Sequence, residues 1–103
     1  MEKLIKKFIP MSETMFYILF SFKKERHGYA VMKYVSELTK GRIQLGAGTI
    51  YQTIKKLEKS QLIRFCGEED RQKRYVITDI GREILKLEIK RIKTMYQDVQ
   101  EEL

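Results

Sequence analysis

A mostly α-helical domain with a small β-hairpin is predicted by three features of this 103-residue sequence. Three apolar-periodic segments follow one another at the three-and-four spacing of amphipathic helices. Two short alternating segments come next, and a long closing segment carries apolar residues at an average period of about 3.5. A chain of this size forms one domain and buries only about two-thirds of its unfolded surface, so a partner subunit is an expected source of added stability.

The first helix runs from Ser12 to about Lys24, with Met15, Ile18, Leu19 and Phe22 on its inner stripe and Ser12 as N-cap after Pro10. Phe16 and Phe20 widen its apolar surface, which is free to cover the preceding Leu4, Ile5 and Phe8 or to meet another subunit. The break at Arg26-His27-Gly28 precedes a second helix on Ala30, Val31, Tyr34, Val35 and Leu38, stopped by Thr39-Lys40-Gly41. A short extended stretch, Ile43 to Leu45, leads to Gly46-Ala47-Gly48-Thr49. There a third helix opens, with Ile50, Ile54 and Leu57 inward and Thr49 or Gly48 as N-cap.

Leu62 to Cys66 reads as a strand, Gly67 to Gln72 as a polar loop, and Lys73 to Thr78 as a second strand. Thr78-Asp79 caps the final helix, Asp79 lying at the positive end of its dipole. Helices, hairpin and closing helix in this order and at this size spell a winged helix-turn-helix domain, residues 1–79, continued by a carboxy-terminal helix, residues 80–103, within the same compact unit.

The 21 Lys and Arg outnumber 14 acidic residues, a formal charge of +7, which favours a polyanionic partner. Residues 1–78 hold 16 of the basic and 8 of the acidic side chains, so the positive field belongs to the winged part. Projected at 100° per residue, the third helix turns Gly48, Gln52, Lys55, Lys56 and Lys59 away from its apolar face, with Tyr51 at the border. Gln suits adenine edges, Lys suits phosphate or guanine, and a Tyr hydroxyl suits phosphate. Arg71, Lys73 and Arg74 at the hairpin are suited to neighbouring phosphates or a minor groove, although Glu68, Glu69 and Asp70 partly offset them. A lysine-rich face is also what any solvated helix presents; its place after a helix-turn favours double-stranded DNA.

His27-Gly28-Tyr29, Gly48-Thr49-Ile50-Tyr51 through Lys56-Leu57-Glu58 to Leu62-Ile63, Arg74-Tyr75, and Thr78 to Gly81 resemble the PadR family of bacterial transcriptional regulators. The resemblance covers about residues 12–85 and is most specific from Gly48 to Ile63. It implies a short-branch, winged-helix repressor, dimeric through its last helix, that binds an inverted-repeat operator and responds to a small-molecule effector. Gln52 stands where the family usually has Pro, and Gln61 where it usually has Gly, a residue suited to a left-handed C-cap. The chain has no Trp, so the Trp-lined drug pocket of some short members is not carried over.

In the closing helix Leu85, Ile89, Ile92, Tyr96, Val99 and Leu103 form a heptad seam fit for a homodimer interface. Packing of that seam within one subunit is the alternative, and Ile80, Ile84 and Leu87 are expected to close the winged domain beneath. Met15, Phe16 and Phe20 are candidates for a ligand pocket between subunits or, more simply, for core packing.

No catalytic constellation is recognisable. His27 reads as a turn residue, and Cys66, the only cysteine, as a wing-strand residue or a redox sensor. No metal and no cofactor are expected, and Gly46-Ala47-Gly48 lacks the ending of a phosphate-binding loop. The longest apolar run, Met15 to Phe20, is far below the roughly 20 residues of a membrane span, so no membrane partner and a cytoplasmic location are expected. A winged-helix protein-interaction module and a nonspecific DNA-binding protein are the competing functions.

Overall fold

Ser12 starts the first long helix by a hydrogen bond from the Met15 N–H to its Oγ at 3.1 Å, which satisfies an amide the helix itself leaves unpaired. In the computed structural model, which describes residues 1–103, the order is α1 (Glu2–Phe8), α2 (Glu13–Ser21), β1 (Arg26–His27), α3 (Gly28–Leu38), α4 (Ala47–Lys59), β2 (Ile63–Glu69), β3 (Gln72–Ile77) and α5 (Asp79–Val99). The three strands form one antiparallel sheet in the order β1-β3-β2. This is the mostly helical, winged arrangement that the periodicities predict.

Ile18, Leu19 and Phe22 of α2, Val31 and Val35 of α3, and Ile50, Ile54 and Leu57 of α4 meet in the core. Leu62, Ile63, Tyr75 and Ile77 cover it from the hairpin, and Ile84 and Leu85 close it from the start of α5. Tyr75 joins hairpin to core through an edge contact with Phe22 at a centroid separation of 6.1 Å, and meets its cross-strand partner Phe65 within the hairpin at 6.0 Å. Thr78 caps α5 by accepting from the Gly81 N–H at 3.0 Å, as its position predicts.

The differences from the sequence reading are local. Leu4, Ile5 and Phe8 belong to the seven-residue helix α1, whose Phe8 is buried. Helix α2 ends at Ser21, three residues before Lys24. His27 pairs with Arg74 as part of the third strand and also caps α3, its Nδ1 accepting from the Ala30 N–H at 3.3 Å. Helix α4 starts earlier than expected, with Gly46 as N-cap in place of Gly48 or Thr49. The wing strands extend through the expected polar loop to a two-residue turn, Asp70-Arg71, at φ 51° and 64°. Positive φ at both positions matches the twist of the flanking strands, and this shortens the loop.

Gln61 sits at φ 62°, a left-handed conformation that suits Gly. Ile84 closes the winged unit, but Ile80 and Leu87, expected beside it, are exposed because they lie on the outer side of α5.

Candidate nucleic-acid interface

Helix α4 is held by Ile50, Thr53, Ile54 and Leu57, all buried, which leaves the opposite side of the cylinder free. Gly48, Thr49, Tyr51, Gln52, Lys55, Lys56 and Lys59 are all exposed on it. Gly48, Tyr51, Gln52 and Lys55 share one groove of about 650 Å³ with Arg71 and Lys73 of the wing. Two separate elements thereby present one polar, basic concavity. Thr49, Lys56 and Lys59 lie outside it: the two lysines face a second depression toward α1.

Arg74 is the wing residue that departs from expectation. Gln72, Lys73 and Tyr75 of β3 line the groove, and Arg74 among them does not. Its Nη2 lies 3.3 Å from the Glu69 carboxylate, so its charge is already partnered.

Sequence reasoning missed His27, Tyr29, Glu58 and Gln72, which complete the groove. Tyr29 meets the Tyr51 ring edge-on at 6.5 Å. These residues come from four different elements; Glu58 shares α4 and Gln72 shares β3 with expected contact residues, and no spacing along the chain could have joined His27 and Tyr29 to them. Burial, with help from the Glu58 charge, holds the Tyr75 phenol above its ordinary value. Burial likewise pushes the Cys66 thiol up despite nearby Arg64, which disfavours the thiolate that a redox sensor needs.

A second feature lies at the other end of the molecule. Burial along α5 stops at Glu88; beyond it Ile89, Ile92, Met95, Tyr96, Val99 and Leu103 are exposed. Leu85, the first residue of the predicted seam, is instead in the winged core, because the first turns of α5 rest on the domain before the helix leaves it. A groove of about 600 Å³ runs between residues 11–17 and α5, walled by Phe16, Tyr17, Ile92 and Tyr96. Met15, Phe16 and Phe20 do not converge there. Met15 faces the α1 depression, and Phe20 stacks on Tyr34 at 6.3 Å under the Lys23 ammonium.

No helix is long and apolar enough to cross a membrane. The sequence model of the transcriptional regulator PadR-like family matches residues 3–87. The structure of a transcriptional regulator from Clostridium thermocellum superposes with a TM-score of 0.75, covering 96% of both chains at 20% identity. A PadR family transcription regulator from Clostridium difficile gives 0.71, covering 84% of this chain and 95% of that one at 21% identity.

Bacillus subtilis PadR in complex with operator DNA gives 0.63 at 29% identity, covering 75% of this chain and 46% of that chain. An uncharacterized 37.1 kDa protein in transposon TN4556 of Streptomyces fradiae is 37% identical over 62 residues, which are 60% of this chain. The chain spans 17% of that relative's length. The family match extends from α1 into α5 and takes in α4 and the whole wing: the chain belongs to the PadR-like family of transcriptional regulators.

Proposed function

We propose that this protein represses transcription by binding an inverted-repeat operator in double-stranded DNA as a homodimer, and releases it when a small-molecule effector binds. Residues 1–79 are the DNA-reading unit in this scheme, and residues 80–103 the pairing helix. One observation carries the proposal: Tyr51, Gln52 and Lys55 of α4 and Arg71 and Lys73 of the wing surround a single groove. A helix with a Gln and Lys surface, anchored by its apolar side, can enter a major groove while the wing meets the adjoining backbone. Likeness to a PadR solved in complex with operator DNA supports DNA as the partner.

Pairing is supported by the apolar stripe from Ile89 to Leu103, which one subunit leaves in water. Two copies related by a two-fold axis would bring two α4 helices to successive major grooves, about 34–36 Å apart. The groove walled by Phe16, Tyr17, Ile92 and Tyr96 adjoins that stripe, so an effector lodged there would alter the pairing geometry.

Selection of duplexes from random sequence tests the proposal. Enrichment of a palindrome, with binding that weakens steeply in salt, is the expected result. Replacing Lys55 with Ala should flatten the slope of log affinity against log salt by about 0.9 if it meets one phosphate. Tight binding without enrichment would make this a nonspecific DNA-binding protein. No duplex binding, with an acidic protein bound by the same face, would make it an interaction module.

A further inference from the structure

On the flank of α4 turned away from the wing, Lys7 of α1 and Lys56 and Lys59 of α4 line one depression of about 480 Å³. Phe8, Met11 and Met15 form its apolar floor, the Ser12 side chain is at its edge, and no carboxylate lines it. The ion pairs of the molecule engage Lys33, Arg42, Arg74 and Arg91, and none of these three lysines.

Lys7 is held in place: its Nζ donates to Ser60 Oγ at 2.9 Å, just past the end of α4, and lies 5.4 Å from the Phe8 ring centroid. Phe8 is buried, so α1 is anchored and carries Lys7 to the end of α4. Three like charges around one depression with no carboxylate in its lining make a positive site that an anion complements.

We infer that this depression is a second DNA-backbone phosphate site, completed by Lys7, on the opposite side of α4 from the wing. The inference rests on the proposed operator binding. A helix lying in a major groove about 12 Å wide has a phosphate ridge along each flank. Arg71 and Lys73 serve the wing-side ridge; Lys7, Lys56 and Lys59 serve the other. The protein thereby grips both strands, and α1 becomes part of the DNA-binding unit. Contacts of this kind set position and orientation and carry no base information.

Lys7→Gln keeps a donor for Ser60 and removes the charge, whereas Lys7→Arg keeps the charge. Binding of each to a duplex selected by the wild-type protein, and to a scrambled duplex of equal length, is measured by fluorescence anisotropy across salt concentrations. Lys7→Gln should flatten the log–log salt slope by about 0.9 on both duplexes. The ratio of the two affinities should stay constant, and Lys7→Arg should keep the wild-type slope. A wild-type slope in Lys7→Gln overturns the inference, as does an equal loss in Lys7→Arg, which would mark a packing role. If the wild-type protein distinguishes no duplex from any other, the operator reading fails, while the slopes on the scrambled duplex still decide the role of Lys7.

Discussion

The α-carbon of Gly81 lies against the carbonyl oxygen of Leu62: a Cβ built there would stand 2.1 Å from that oxygen and 2.8 Å from Ile77 Cγ1. The same oxygen accepts from the Thr78 N–H at 2.9 Å, while Thr78 Oγ1 donates to the Gln61 carbonyl at 2.6 Å. The end of α4, the root of the wing and the start of α5 are thus tied at one point. Replacing Gly81 with Ala forces a methyl group against the Leu62 backbone and should cost at least the roughly 1–3 kcal/mol typical of overpacking. Urea unfolding would measure it, and a loss below about 0.5 kcal/mol would show that the junction yields.

Gly28 makes a softer contact. A Cβ there would meet the Tyr51 ring at 3.0 Å, but Tyr51 is 46% exposed and its ring can turn aside. Gly28→Ala should therefore leave stability within about 0.5 kcal/mol of wild type. DNA affinity should fall several-fold, because the displaced ring borders the groove. Thermal melting and anisotropy titration together separate the two effects; an unchanged affinity would remove Tyr51 from the contact surface.

Glu88 is buried and accepts from the Met11 N–H at 2.8 Å and from Arg91 Nε and Nη2 at 2.6 and 2.8 Å. The Arg91 hydrogen bonds hold its carboxyl below the ordinary value, against the opposing effect of burial. A lowered folded value means that the stabilisation is fully present above the unfolded value of about 4.3 and is lost as pH falls through the folded one. Glu88→Gln should cost about 1.5–3 kcal/mol near neutrality. The gap between the two proteins should close as melts are repeated below about pH 4; a gap that stays constant with pH would refute the ionic origin.

The wing turn should separate stability from binding. Asp70 and Arg71 both sit at positive φ, which costs a non-glycine residue about 1 kcal/mol or more. Arg71→Gly should stabilise the hairpin by up to about that amount while flattening the salt dependence of DNA binding. Chemical unfolding and salt titration should move in opposite senses, and a joint loss would contradict the turn geometry.

Ile92 is 39% exposed on the half of α5 that has left the core, so Ile92→Arg should preserve the fold. It should yield monomers in sedimentation experiments and abolish operator binding, since a charge on the seam would have to be desolvated to pair. Dimers that persist would refute the seam.

Four of the five helices, the hairpin and the inward face of α4 were legible in the sequence, because amphipathic period, N-caps and strand alternation are local properties of the chain. Ser12 and Thr78 act as caps where their positions predict, and Ile50, Ile54 and Leu57 are buried together. Tertiary structure alone decided which surfaces meet. A heptad stripe does not say what covers each of its residues, so Leu85 went to the core while Ile89 did not. Helix α1 and strand β1 are too short to announce themselves, yet they bring Lys7 to Ser60 and His27 to Arg74 across 53 and 47 positions of sequence. Proximity of that range comes from burying one shared core, which no local pattern encodes.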